Sequence, residues 1–178
     1  MKSINNINIR EIALAATFCS IIYVARVAFY LIPARTLIGL MIITGMCLGP
    51  FFGFVIGIAV ILISNVILGH GVWTLFQIFA ASTIGFASGF FLKDRKYNNN
   101  RLILTTWCIF CMIIYAGANF ACSFIMSGAD NLGNFKTAFI YYLASRTLVK
   151  DVLSTVSTII IVLFLSKPIE KITREYTI

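Results

Sequence analysis

Charge is scarce in this sequence: only 11% of its 178 residues are Asp, Glu, Lys or Arg, against 60% hydrophobic residues and a mean hydropathy of +0.97. A soluble domain of this size cannot cover its surface with so few polar groups, which excludes an ordinary water-soluble fold. Histidine occurs once, at His70. No Gly-x-x-x-x-Gly-Lys-Ser/Thr phosphate loop is present, so any nucleotide hydrolysis must come from other proteins. The Gly-x-Ser-x-Gly elbow of a serine hydrolase is also missing. Cysteines number five, an odd count, and all of them (Cys19, Cys47, Cys108, Cys111, Cys122) fall in apolar stretches, so no disulfide framework is implied. The pair Cys108 and Cys111 has Cys-x-x-Cys spacing but no nearby His or acidic partner, and reads as core packing rather than a metal or redox site. Neither a metal nor a cofactor of the protein's own is expected.

What remains is an integral membrane protein. The net charge of +8 does not point to nucleic acid, because the basic residues lie in short clusters between long apolar runs, as the positive-inside rule arranges them. Apolar segments cover approximately residues 11–32, 36–48, 51–68, 72–92, 102–126 and 138–166, which predicts an all-α bundle of six transmembrane helices in one domain, 1–178. Lys2 and Arg10 before the first run resemble a signal peptide, but the run is about long enough to span and lacks a small-residue cleavage site, so it is read as the first span. The second segment, 13 residues, is short, and it is separated from the third by the helix breaker Gly49-Pro50.

Charge supports the count of six. The amino terminus (Lys2, Arg10), the loop Lys93 to Arg101 and the tail (Lys167, Lys171, Arg174) share one side only with six spans, and they hold nine of the fourteen basic residues. That side, with both termini, is expected to be cytoplasmic in a bacterial cell membrane.

Counting along each helix from its cytoplasmic boundary at roughly 1.5 Å per residue places Arg26 at roughly 22 Å, Asn65 at roughly 21 Å, Gln77 at roughly 24 Å, Asn119 at roughly 27 Å and Lys150 at roughly 26 Å. Polar groups from five helices thus share one outer layer of a hydrocarbon core about 30 Å thick. Charged groups at that depth are costly unless they face a protein interior or a wet cavity, so Arg26, Arg146 and Lys150 are expected to point inward. For Arg35 and Lys136, snorkelling or solvation is favoured. Tyr142, Arg146, Lys150 and Ser154 recur every four residues and are read as one face of the sixth helix, with Asp151 pointing elsewhere.

Within the stretch SNVILGHGVWTLFQ (Ser64 to Gln77), Asn65 ends the third helix, Gly69-His70-Gly71 makes a tight connection, and Trp73 with Gln77 starts the fourth on a single face. It looks like the rim of an outward-facing pocket, with His70 and Trp73 equally readable as part of an interfacial belt. Gly45, Gly49, Gly53 and Gly57, and Gly85 with Gly89, repeat every four residues and are read as internal packing faces. Ala13, Ala16 and Ser20 form a small-residue stripe on the first helix that suits either internal packing or another membrane protein.

The segments ARVAFYLIPA (25–34), GMCLGPFFGFVIG (45–57), ISNVILGHGVWTLFQIFA (63–80) and IGFASGF (84–90) resemble the S components of energy-coupling factor (ECF) vitamin transporters, and among them most resemble the cobalamin-type branch. The tail KPIEKITREY is also similar to that group. Two features depart from the pattern: Ala16-x-x-x-Ser20 stands in for Ala-x-x-x-Ala on the first helix, and the sixth helix has VKDVLSTVST in place of a histidine-containing segment.

The resemblance implies a substrate-binding subunit that is not an enzyme. It would capture a vitamin from outside, cobalamin or a precursor first and pyridoxamine, riboflavin or a queuosine precursor as alternatives. Its partners would be a membrane-embedded coupling protein, docked through Ala13, Ala16 and Ser20, and two ATPase subunits. Arg26, Asn65, His70, Trp73, Gln77, Asn119, Tyr142, Arg146 and Lys150 would then line the ligand site. Two further classes remain: a small intramembrane enzyme using Ser64 and His70, for which no carboxylate is placed to orient the imidazole, and a membrane subunit without a ligand.

Overall fold

Among the described residues of the computed structural model, five helices are long and apolar enough to cross a membrane, and a sixth, shorter one is enclosed by them. The structure describes residues 8–30, 36–93, 100–126, 136, 139–140 and 147–177. Within these the helices are α1 (Ile9–Ala28), α2 (Leu37–Leu48), α3 (Pro50–Leu68), α4 (Val72–Leu92), α5 (Arg101–Met126) and α6 (Thr147–Thr177). The protein is an all-α membrane bundle, as the sequence predicts.

The shortness of α2 has a physical reason. Its 12 residues are apolar around the whole circumference, and nine of them are buried, from Leu37 through Met46. A helix without a polar face must be covered on all sides, and α2 packs against each of the other five helices. It is the core of the bundle. At its end Gly49 takes φ +94°, a conformation that costs glycine nothing, and Pro50 occupies the first turn of α3, where its missing N–H is harmless.

The glycines join α2, α3 and α4. A Cβ on Gly45 would stand 2.2 Å from the Gly85 carbonyl oxygen, one on Gly53 2.4 Å from the same atom, and one on Gly89 2.4 Å from the Pro50 nitrogen. Real Cβ contacts do not reach these distances, so only glycine lets the three backbones meet, and close approach of this kind drives helix association in lipid. The repeat read as internal packing faces therefore lies inside the bundle.

Against this core, α5 contributes Leu104, Cys108, Cys111, Met112, Tyr115 and Cys122 from one side. The Trp107 indole Nε1 donates to Ser88 Oγ of α4 at 2.9 Å. Cys108 and Cys111 are buried as apolar filler, and among the described residues no cluster of His, Cys, Asp and Glu suits a metal ion. Large side chains such as Phe79, Phe90, Ile113 and Phe164 project outward. That apolar exterior suits a protein whose solvent is acyl chain, with backbone polar groups satisfied inside helices.

The last helix continues through Pro168 to Thr177, beyond the expected end of the sixth span at 166. The extra turns are held because Ile169 packs on the core and Thr173 is buried, its hydroxyl donating to the Ile169 carbonyl at 2.9 Å. The segment read as a tail is thus part of α6.

Candidate ligand-binding site

The loop between α3 and α4 is short because each of its residues closes a hydrogen bond or needs none. Gly69, at φ +94°, ends α3 with its N–H on the Asn65 carbonyl at 2.8 Å. Gly71 is extended and starts α4: its N–H donates to Thr74 Oγ1 at 3.2 Å, and the Thr74 N–H donates to the Gly71 carbonyl at 2.9 Å. This is a capping arrangement in which the hydroxyl satisfies a backbone donor that the helix cannot. The Trp73 indole folds back over Gly71, where a Cβ would come within 2.4 Å of the ring.

That hairpin brings residues nine positions apart into contact. Asn65 Nδ2 donates to Thr74 Oγ1 at 2.9 Å, and both side chains are buried. From the end of α1, Arg26 then reaches across. Its Nη2 donates to Asn65 Oδ1 at 3.0 Å and to Gln77 Oε1 at 2.9 Å, and its Nη1 donates to Ser64 Oγ. Gln77 Oε1 also accepts from Asn65 Nδ2 at 3.4 Å. Three helices are tied by one guanidinium, whose fixed fork of donors suits several acceptors at once.

These bonds also set the direction of the amides. Asn65 must turn its oxygen to Arg26 and its nitrogen to Thr74, and Gln77 must turn its oxygen to the guanidinium, because the reverse would set donor against donor. Charge-assisted hydrogen bonds of this kind are the stronger class.

Of the residues expected at the site, Arg26, Asn65 and Gln77 are therefore assembled as one cluster. Trp73, 39% exposed, and His70, exposed, lie on the adjoining hairpin. Asn119 sits in α5 with its amide nitrogen buried and without a hydrogen-bond partner among the described residues. Tyr142 and Arg146 lie outside the described residues.

Lys150 is exposed and is not drawn into the Arg26 cluster, whereas Asp151 is buried. The inward face of α6 is set by Asp151, Ser154, Thr158, Val162 and Ser166. Lys150 lies about 100° around the helix from Asp151. Of the stripe's described members, Lys150 and Ser154, only Ser154 faces in, and the four-residue repeat continues inward from it through Thr158, Val162 and Ser166.

Ser64 and Thr74 were not among the expected ligand-site residues. Small hydroxyls in apolar helices commonly bond back to their own carbonyls, as Thr44, Ser82 and Thr105 do here, and nothing in the sequence separates these two from that background. Ser64 is buried under Arg26, also bonds the Val60 carbonyl, and its hydroxyl is engaged in this way rather than with His70. The pair does not form a nucleophile and base.

On α1 the stripe Ala13, Ala16 and Ser20 is exposed. The Thr17 and Ser20 hydroxyls turn back onto the Ala13 and Ala16 carbonyls, both at 2.9 Å, which leaves the face smooth. Only Ala15 and Ile22 of α1 are buried.

Residues 6–171 match the family described as ECF-type riboflavin transporter, S component, and the chain belongs to that family. It is therefore a substrate-binding membrane subunit of an ECF transporter, a carrier component rather than an enzyme, which works with an ECF module. The match carries the S-component resemblance but not its cobalamin-type branch. Comparisons with curated proteins and with solved structures gave no match.

Proposed function

We propose that the protein captures a vitamin of the flavin class at the α3–α4 hairpin end of the bundle, on the outer side of the membrane, for ATP-driven import. The observation that carries this reading is the Arg26 cluster. A cation and three uncharged polar side chains from three helices are assembled at one depth beside an exposed indole. Such a layer is costly in a membrane and is retained at functional sites. Trp73 offers a face on which a planar ring can stack, and the amides fix orientation by hydrogen bonds. The family description names riboflavin transporters, which favours a flavin.

A corrinoid is the second reading. The Gly-x-Gly-x-Trp-Thr hairpin at Gly69 to Thr74 and the Ser64-Asn65 helix end favour it, through their resemblance to the cobalamin-type branch. His70, Asn119, Tyr142 and Arg146 complete the proposed lining in either case. Lys150 joins it only at the rim, consistent with its exposure.

Docking on the coupling protein is assigned to the smooth, exposed face of α1 at Ala13, Ala16 and Ser20, with two ATPases supplying the energy. In this reading the termini are on the cytoplasmic side. The test is an absorbance spectrum of gently purified protein with mass spectrometry of the released ligand. A yellow flavin spectrum supports the first reading and a red corrinoid spectrum the second. Protein that carries no vitamin and binds none on addition refutes both.

A further inference from the structure

Where α4 ends and α5 begins, four aromatic rings run continuously from one helix to the other. Phe90 meets Phe91 edge-on with ring centroids 5.2 Å apart, Phe91 meets Trp107 at 5.0 Å, and Trp107 meets Phe110 at 5.6 Å. Phe90, Phe91 and Phe110 are each at least half exposed. Trp107 differs from the tryptophans of an interfacial belt, whose polar edge sits at the headgroups. Its N–H is engaged by Ser88 Oγ at 2.9 Å, so the indole is held in place and offers only apolar surface outward. A wall of fixed rings is pre-organised for a chain packed along it.

The run is one leaflet deep. Counted from Lys93, Phe91 and Phe90 lie about 3 and 4.5 Å into the membrane; counted from Arg101, Trp107 and Phe110 lie about 9 and 13.5 Å, at 1.5 Å per residue. Half of the hydrocarbon core is about 15 Å.

Two cations stand at the mouth of the seam. Lys93 follows Phe90 by three residues, on the same side of α4, and Arg101 opens α5; both are exposed. The Arg101 guanidinium has no hydrogen bond or ion pair among the described residues. Neither α4 nor α5 contains an acidic residue. A positive mouth over an apolar wall is complementary to a lipid that joins an anionic headgroup to acyl tails.

We propose that the α4–α5 seam binds one anionic phospholipid of the adjoining leaflet, with its headgroup phosphate at Lys93 and Arg101 and an acyl chain along Phe91, Trp107 and Phe110. That leaflet is the cytoplasmic one in the orientation given above, and the site is independent of the vitamin captured at the other end of the bundle. A zwitterionic lipid brings the same tails, but its ammonium offsets the attraction of its phosphate to the two cations.

The test is native mass spectrometry of the full-length protein in detergent, titrated with phosphatidylglycerol or phosphatidylcholine. Wild type is expected to retain one phosphatidylglycerol about tenfold more tightly than phosphatidylcholine, and Arg101→Gln to weaken that retention about fivefold. Joint replacement Phe90→Ala and Phe110→Ala should also weaken it, by about fivefold, through lost acyl contact. Lys171→Gln removes an exposed cation from α6 and should change nothing.

Equal retention of the two lipids overturns the proposal, as does unaltered retention in Arg101→Gln or in the ring variant. A loss in Lys171→Gln equal to that in Arg101→Gln shows general charge attraction in place of a site, and overturns it too. Free glycerol phosphate supplies the headgroup without tails. If it raises the melting temperature as much as phosphatidylglycerol does, the ligand is a soluble phosphate and the lipid assignment fails.

Discussion

Arg26 and Gln77 are 51 positions apart in the sequence, yet the guanidinium Nη2 of one lies 2.9 Å from the amide Oε1 of the other. The bond joins the end of α1 to the first turns of α4 across the end of α3. It links the helix with the exposed small-residue face to the hairpin that carries Trp73, so the proposed ligand end and the proposed docking helix share this polar contact.

Replacing Arg26 should therefore affect both stability and binding. Arg26→Ala removes donors from three side-chain oxygens, two of them on buried residues, and is expected to cost about 1.5–3 kcal/mol of stability, the range for hydrogen bonds to a charged group. Arg26→Lys should recover part of this, since one ammonium cannot reproduce the fork. Thermal melts in detergent, paired with ligand titration, read both effects.

Thr74→Val is expected to loosen the hairpin. It keeps the shape but removes the acceptor for Asn65 Nδ2 and the Gly71 N–H, at a cost of about 1–3 kcal/mol for groups left unsatisfied. Thr74→Ser should stay close to wild type in melting temperature and ligand affinity. Equal losses in the two variants would show that the methyl, not the hydroxyl, matters.

The glycine junction should tolerate no side chain. Gly85→Ala places a Cβ 2.4 Å from the Gly53 carbonyl oxygen, and the backbones of α3 and α4 would have to separate. A sharp loss of folded yield is expected. Gly117→Ala is the control, with nothing within 4 Å of the new carbon, and should stabilise by up to about 1 kcal/mol through helix propensity. Size-exclusion profiles and melts of the two variants test the contrast.

Bulk on the outer face of α1 should separate binding from assembly. Ala13→Trp and Ala16→Trp alter exposed positions and are expected to keep ligand affinity while abolishing co-purification with the ECF coupling protein. Retained assembly in both variants would move the docking surface elsewhere.

Much of this architecture is legible in the sequence because lipid simplifies the problem. Long apolar runs become helices, and Gly49-Pro50 marks the break between α2 and α3. The cluster of Arg26, Asn65 and Gln77 can be found by counting residues along straight helices, since depth is nearly linear in residue number. Rotation about the axis is harder to read. Lys150 is exposed although it stands four residues before buried Ser154, whose repeat continues inward through Thr158, Val162 and Ser166, so spacing marks a face without showing where along it burial begins.

Ser64 and Thr74 are not legible as members of the Arg26 cluster for a different reason. Each is one small hydroxyl among many that bond to their own helix, and only the geometry of the hairpin distinguishes them. The helical continuation past Pro168 was obscured by a residue that usually ends helices, and packing of Ile169 and Thr173 overrides that preference here.

The most direct test of the central claim is calorimetric titration of the co-purifying vitamin into wild type and Gln77→Ala, with melting temperatures recorded for both. Binding to the variant at least tenfold weaker, with the fold intact, is the predicted result. Equal affinity in the two proteins would contradict the placement of the ligand at the Arg26 cluster.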